Sequence, residues 1–255
     1  MAKAGRGPDR LRGIGTTMAG RHLSRRGALA CACCGVAAGM LPFGRPSRAA
    51  GEHPAAPAMS PDEALALLKE GNARFVADAP FAADIGQVRR HELAKGQQPF
   101  AVVVGCSDSR VPPELLFGRG LGELFVIRVA GNTVDLAAEG SIEYAVAELG
   151  APLVMVLGHE RCGAVSAAVS VVEHNAIFPG AISDIVLPIV PAVLKAKAEP
   201  GDLLDNSVRQ NVLRTVKRLR ALGPILPAMV EAGRVKVVGG RYDLDDGKVD
   251  FLAEG

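Results

Sequence analysis

The chain has 255 residues, of which 49% are hydrophobic, 22% charged and 4% aromatic, with no tryptophan. This composition supports a large buried core, excludes wholesale disorder and argues against a surface that stacks nucleobases. Residues 1–50 hold nine of the 29 basic residues and one of the 27 acidic residues, which leaves 20 basic against 26 acidic residues elsewhere. Because the remainder is mildly acidic, its charge excludes the electrostatic footprint of a nucleic-acid-binding protein.

The basic head of the chain resembles a twin-arginine export signal. Arg25 and Arg26 precede a run of small and apolar residues at 27–41. This run is shorter than the ~20 residues that span a bilayer, so no stable membrane anchor is expected. Ser47 and Ala49 have the spacing that a signal peptidase accepts, which predicts a removed signal at 1–50, a linker at 51–59 and one folded domain at 60–255. Export machinery would then deliver a periplasmic or secreted protein; the alternative is an ordinary basic tail.

Beyond the linker, strand-like and helix-like segments alternate. A serine followed by a proline and two acids at 60–63 is typical of a helix start and predicts a helix to about Val76. Short β-branched apolar runs predict strands buried on both faces at 99–105, 124–129, 152–158 and 234–239, with helices at 135–149, 163–172, 188–197 and 203–222. We expect an α/β fold: a mostly parallel central sheet of about four strands, flanked by helices, with residues 248–252 as an antiparallel edge strand.

Two other patterns predict ordinary surface structure. Glycines at 118, 120 and 122 lead from a turn into a strand, which is the reverse of the order in a phosphate-binding loop. The helix at 203–222 has a basic face, which we interpret as solvated rather than anion-binding: Arg209, Arg214, Lys217, Arg218 and Arg220.

Two cysteines and a histidine lie where predicted strands end. Cys106 directly follows the strand at 99–105, and His159 directly follows the strand at 152–158. Ligands bind at the carboxyl edge of open α/β sheets, and both side chains are expected there. Cys162 lies one helical turn beyond His159, so its sulfur can join them. Two cysteines and one histidine form a three-ligand set, which is typical of a catalytic zinc site with an open fourth position, and predict one Zn²⁺ per chain.

The ordered motifs resemble those of the β-class carbonic anhydrases. That family carries C-x-D-x-R followed some fifty residues later by H-x-x-C, and this chain has CSDSR at 106–110 and HERC at 159–162. The similarity continues through RVAGN at 128–132 and GSIEY at 140–144 and covers roughly residues 60–252. Where family members usually have Arg-Asn, this chain has Arg128-Val129. One contact that supports the backbone in the family is therefore not expected here, whereas the metal site is unaffected. The domain at 60–255 is therefore interpreted as a catalytic domain of this family.

The resemblance implies reversible hydration of carbon dioxide to bicarbonate and a proton by attack of zinc-bound hydroxide. It also implies that Arg110 holds Asp108 off the zinc, and that Asp108 becomes a fourth ligand only in a closed state. Opening that state releases a proton, so activity should rise through about pH 7–8.5. Gln97, Phe125 and Tyr144 match substrate-binding residues that reach the zinc across a subunit interface, which implies a homodimer or a dimer of dimers.

Two alternatives remain open from the sequence. The same zinc site could hydrolyse carbonyl sulfide or carbon disulfide, as relatives of the family do. Alternatively, Cys106 and Cys162 could form a disulfide in an oxidising compartment, in a non-catalytic or redox protein. Zinc content and a count of free thiols separate the second alternative from the zinc enzyme.

Overall fold

The computed structural model describes residues 59–79, 83–221 and 223–253, which belong to one compact unit. The predicted export signal at 1–50 and all but the last residue of the linker at 51–59 lie outside this part of the chain. Within it, the helices are α1 (Pro61–Val76), α2 (Gln87–Leu93), α3 (Pro113–Leu116), α4 (Leu136–Ala147), α5 (Gly163–His174), α6 (Ala181–Val186), α7 (Val190–Ala196), α8 (Leu203–Leu219) and α9 (Ile225–Glu231). The strands are β1 (Ala101–Gly105), β2 (Leu124–Arg128), β3 (Leu153–His159), β4 (Lys236–Tyr242) and β5 (Val249–Leu252).

The five strands form one sheet in the order β2-β1-β3-β4-β5. The first four are parallel and β5 is antiparallel to β4, which confirms the expected mixed α/β sheet. Every residue of β1 and β3 is buried. The expectation of burial on both faces is wrong for β2, whose apolar residues are only partly buried, because β2 lies at the edge of the sheet.

The side chains of alternate residues in the central strands pack into two separate apolar layers. Val102 and Val104 of β1 pack into a layer with α4 and α8, whereas Val103 packs into the opposite layer with α1. Each fully buried aliphatic side chain stabilises the fold by about 1.5–3 kcal/mol. The sheet is therefore packed on both faces.

The sequence predicted the long helices better than the short ones. α1 begins at the predicted Ser60 cap, which the structure shows to be a capping box: the Glu63 amide donates to Ser60 Oγ at 3.2 Å, and the Ser60 amide donates to Glu63 Oε2 at 2.8 Å. The helix predicted at 188–197 is a 3-10 turn at Leu187–Ile189 followed by α7, and α2, α3, α6 and α9 were not predicted. No helix among the described residues has the length and apolar character needed to cross a membrane.

The basic face of α8 is solvated only in part: Arg214 and Lys217 are exposed as expected, whereas the other three arginines bind groups of the protein, which corrects the sequence-based interpretation for them. Arg209 pairs with Asp205 at 3.0 Å and with Asp250 at 2.9 Å. Arg218 Nη1 donates to the Val134 carbonyl at 2.7 Å. Arg220 likewise donates to backbone carbonyls, those of Val237 and Ala253. These three arginines fasten α8 to the rest of the domain.

Candidate active site

Adjacent parallel strands bring Cys106, His159 and Cys162 together. Cys106 directly follows β1, and His159 is the last residue of β3, one position later than the sequence placed the strand end. Cys162 is the N-cap residue of α5. The three side chains are buried, and their ligand atoms lie within 4.8 Å of one another. The predicted juxtaposition at the carboxyl edge of the sheet is therefore present.

The histidine of this cluster is oriented for metal binding. His159 Nδ1 lies 2.9 Å from the carbonyl oxygen of Glu160, which can only accept a hydrogen bond. Nδ1 therefore carries the proton, and the lone pair lies on Nε2. Nε2 is buried and has no hydrogen-bond partner. A buried polar atom without a partner is costly, and a metal ion would satisfy it.

The two cysteines are free, buried and next to each other in the cluster. A hydrogen bond from the Cys162 thiol lowers the pKa of Cys106 below its usual range, and the same hydrogen bond together with burial raises the pKa of Cys162. The Gly131 amide also donates to Cys106 Sγ at 3.3 Å. Because thiolates are the form that binds metal, these hydrogen bonds favour the Cys106 sulfur as a ligand.

Asp108 and Arg110 form a tight pair beside the cluster. Arg110 Nε donates to Asp108 Oδ1 at 2.9 Å, and Nη2 donates to Oδ2 at 2.8 Å. The Arg110 guanidinium holds the pKa of the Asp108 carboxyl well below its usual range. Asp108 Oδ2 lies 3.8 Å from His159 Nε2, so an ionised carboxylate stands at the mouth of the three-ligand cluster.

Arg128 supports the loop that carries Cys106 and Asp108. Its Nε donates to the Cys106 carbonyl at 2.9 Å, and its Nη2 donates to the Asp108 carbonyl. The loop therefore has an arginine brace at this end of β2, although Val129 replaces the asparagine usual in the family. The sequence marked Arg128 only as part of a motif and did not predict its partners.

A second brace lies between His159 and Cys162. Arg161 has a left-handed backbone with a φ of 52°, and it binds the Asp245 carboxylate at 2.7 and 3.0 Å. Glu160 donates its amide to the Tyr242 carbonyl at 2.9 Å, and its carboxylate accepts the Leu244 amide at 3.3 Å. Sequence reasoning missed this link because Asp245 lies 84 residues away, in the turn between β4 and β5.

Gln97, Phe125 and Tyr144 lie apart from the cluster within one chain. Gln97 is exposed and leads into the amino end of β1, whereas Cys106 leaves its carboxyl end. Phe125 lies three residues before the end of β2, about 10 Å from the carboxyl edge at a strand rise of ~3.3 Å per residue. Tyr144 on α4 is 48% exposed, and its ring centroid lies 6.5 Å from that of Phe125. Within one chain, the two aromatic rings thus lie near each other but apart from the candidate zinc ligands.

Comparisons with known proteins agree with this geometry. The family model described as carbonic anhydrase matches residues 101–249. A carbonic anhydrase of Mycolicibacterium smegmatis is 42% identical over 195 residues, which are 76% of this chain and 95% of that protein. The structure of the β-carbonic anhydrase CcaA matches with a TM-score of 0.58 and 28% identity, over 66% of this chain and 89% of that one.

A further structural match has a known assembly. One of two tetrameric β-carbonic anhydrases from Sordaria macrospora matches with a TM-score of 0.56 and 29% identity, over 64% of this chain and 85% of that one. The motifs, the sheet topology and the buried cysteine and histidine cluster are thus accompanied by sequence similarity over about three quarters of the chain. The chain belongs to the β-class carbonic anhydrase family.

Proposed function

We propose that this enzyme catalyses the reversible hydration of carbon dioxide to bicarbonate and a proton, at one zinc ion held by Cys106, His159 and Cys162. The observation that carries this proposal is the buried three-ligand cluster, in which His159 Nε2 has no hydrogen-bond partner and the Asp108 carboxylate lies 3.8 Å away. Family membership and the carbonic anhydrase activity named for the relatives support the reaction.

The residues fit a zinc ion in number, type and spacing. Zinc binds sulfur at about 2.3 Å and imidazole nitrogen at about 2.0 Å, so tetrahedral ligands lie about 3.5–4 Å apart. Ligand atoms within 4.8 Å of one another can meet this geometry with small adjustments. When bound, zinc supplies Lewis acidity, which makes water acidic enough to act as a nucleophile near neutral pH.

Asp108 and Arg110 provide the polar chemistry beside this site. Asp108 is ionised, so it would accept a hydrogen bond from a water molecule beside the zinc that Cys106, His159 and Cys162 would hold, and would orient that water toward the substrate. Arg110 fixes the carboxylate through two hydrogen bonds, at 2.9 and 2.8 Å, and thereby keeps it from becoming a ligand itself. In this role Arg110 preserves the open position that the reaction requires.

We further propose that the substrate pocket is completed by a second copy of the chain, in a homodimer or a dimer of dimers. Two features support this: the partly exposed apolar edge strand β2, and the exposed side chains of Tyr144 (48%) and Leu136 (84%) on the neighbouring helix α4. Tetrameric relatives are known. A partner placed on this surface would bring its Gln97, Phe125 and Tyr144 toward the cluster, which one chain alone does not do.

A metal analysis with a stopped-flow hydration assay tests the reaction. The full chain should contain one zinc, and Cys106→Ser or Cys162→Ser should lose both zinc and activity, whereas Cys33→Ser, in the proposed signal, should keep both. A metal-free variant with full activity would refute the zinc mechanism.

The same assay is repeated with carbonyl sulfide and carbon disulfide. If the protein hydrolyses either of these without hydrating carbon dioxide, the proposed substrate is wrong. A pH–rate profile that does not rise between pH 7 and 8.5 would contradict the expected opening of the site.

A mixing experiment tests the shared pocket. Cys106→Ser and Tyr144→Ala chains, each with little activity alone, should regain activity when they are unfolded together and refolded, because one kind of mixed site then has neither substitution. No recovery in a mixture shown to contain hybrids would place the pocket within one chain.

Localisation is a separate proposal: residues 1–50 direct export to the periplasm or beyond the cell through Arg25 and Arg26. The pair stands before a weakly apolar run, which is the order found in twin-arginine signals. Replacing both arginines with lysine should leave an uncleaved precursor inside the cell. Normal cleavage and export of that variant would contradict this route.

A further inference from the structure

Helix α8 carries a buried polar side chain, Asn211, next to the candidate metal cluster. Asn211 is 4% exposed, and its Nδ2 donates to the Gly131 carbonyl at 2.9 Å. α8 packs closely against β3 at Gly158, where an added Cβ would lie 2.6 Å from Val212 Cγ2. Asn211 is therefore carried on a helix that is fixed directly against the strand of His159.

Gly131, the acceptor of that bond, also contacts a proposed zinc ligand. Its amide donates to Cys106 Sγ at 3.3 Å. Its φ is +70°, and an added Cβ would lie 2.7 Å from Ile189 Cδ1 and 3.0 Å from the Cβ of Ala164. This conformation favours glycine, and the crowded site leaves no room for a side chain. Gly131 is thus packed closely at its Cα, bonded to Cys106 through its amide and bonded to Asn211 through its carbonyl.

We propose that Asn211 is a positioning residue for the Cys106 thiolate: it holds Gly131 so that the Gly131 amide points at the ligand sulfur. The inference rests on the proposed zinc function and extends it to a residue that contacts neither metal nor substrate. A hydrogen bond to a ligand thiolate withdraws charge from the sulfur and fixes its direction, which changes how strongly it donates to the metal and how firmly the metal is held.

The chain offers a closely matched control on α1. Asn72 is also 4% exposed, and its Nδ2 also donates to a glycine carbonyl, that of Gly247, at 2.9 Å. Asn72 belongs to the layer between α1 and the β4–β5 turn rather than to the metal cluster. Asn211→Ala and Asn72→Ala should each lose stability, because each leaves a buried carbonyl without its partner. Asn72→Ala also removes the acceptor of the Val249 amide, so it should lose at least as much stability as Asn211→Ala. Only Asn211→Ala should change how the metal is held.

Two measurements on the full chain test the proposal. In protein loaded with Co²⁺, the thiolate-to-cobalt charge-transfer band should shift in Asn211→Ala but not in Asn72→Ala. In protein loaded with zinc, transfer to a chelator should become roughly tenfold faster in Asn211→Ala, at the lower end of what loss of an outer partner of a ligand costs. The rate in Asn72→Ala should remain close to that of the wild type.

The contrary results are equally specific. If Asn211→Ala has the wild-type band and the wild-type zinc-loss rate, or if both asparagine variants change alike, the positioning role is refuted. If Asn211→Ala does not fold, Asn211→Ser is measured in the same way, because serine keeps a polar group but is too short to reach the carbonyl as asparagine does. A wild-type chain that binds neither Co²⁺ nor zinc would instead overturn the proposed function.

Discussion

Asp108 Oδ2 lies 3.8 Å from His159 Nε2, yet both oxygens of this carboxylate are bound by Arg110. The carboxylate is thus close enough to reach a metal ion at the cluster with a small rotation, and the guanidinium holds it back. The balance between these two partners decides whether the fourth position stays open.

Arg110→Gln should lower kcat/KM for carbon dioxide hydration on the order of 100-fold, because the released carboxylate loses its orientation and can occupy the open position. Stopped-flow kinetics at constant zinc content measure the effect. Arg74→Gln is the control, since it removes an arginine from an exposed pair with Glu70, at 3.2 Å, away from the site. Equal activity in the two variants would show that Arg110 has no role in the reaction.

Arg161→Gln should accelerate zinc loss to a chelator by about two- to fivefold, which corresponds to the upper range for an exposed ion pair. The lost contact is the paired hydrogen bonding to Asp245, at 2.7 and 3.0 Å, which holds the loop between two ligands. Because salt screens this pair, raising the ionic strength should speed zinc loss from the wild type more than from the variant. A salt response identical in both proteins, with Arg74→Gln again as the control, would contradict a bracing role.

Acid should destabilise the domain partly through Asp243. A hydrogen bond from Arg241 Nη1, at 2.7 Å, holds the pKa of Asp243 below its usual range. A carboxyl whose pKa is lowered by folding stabilises the protein above its unfolded pKa of about 3.9, and that contribution is lost as the pH falls through the folded pKa. Urea unfolding followed downward from about pH 5 should therefore show a smaller loss of stability in Asp243→Asn than in the wild type.

The control for this prediction is Asp184→Asn, because Asp184 is exposed and has no ion-pair partner among residues 59–79, 83–221 and 223–253. Its unfolding should follow the wild-type pH dependence. A steeper loss in Asp243→Asn than in the wild type would reverse the expected sign.

Gly71→Ala should cost about 1–3 kcal/mol of unfolding free energy, near the upper end, because the added Cβ would lie 1.8 Å from the Phe117 carbonyl oxygen. A backbone carbonyl cannot move away by a rotamer change as a side chain can, so α1 has to shift. Gly86→Ala is the comparison: nothing lies within 4 Å of its added Cβ, and it should change stability by less than about 1 kcal/mol. Similar costs in the two variants, measured by urea unfolding, would show that α1 is less tightly packed than described.

The sequence alone determined the fold class, the family resemblance and the candidate metal ligands, for a local physical reason. Short β-branched runs predict strands that end next to the candidate ligands Cys106 and His159. Parallel pairing then brings these two side chains to the same edge of the sheet. The capping box at Ser60 and Glu63 likewise fixes the start of α1 within four residues of chain. Such signals are carried by neighbouring residues, so they can be read without the tertiary structure.

Tertiary structure alone decided which distant side chains support the site. Asn211 is bonded to Gly131 across 80 residues, and Arg161 is bonded to Asp245 across 84. Neither contact leaves a signal in the local sequence, because each forms only when α8 or the β4–β5 turn has packed against the sheet. The partial exposure of β2 has the same origin: its apolar sequence predicts burial, but the position of a strand within a sheet is set by the packing of the whole chain.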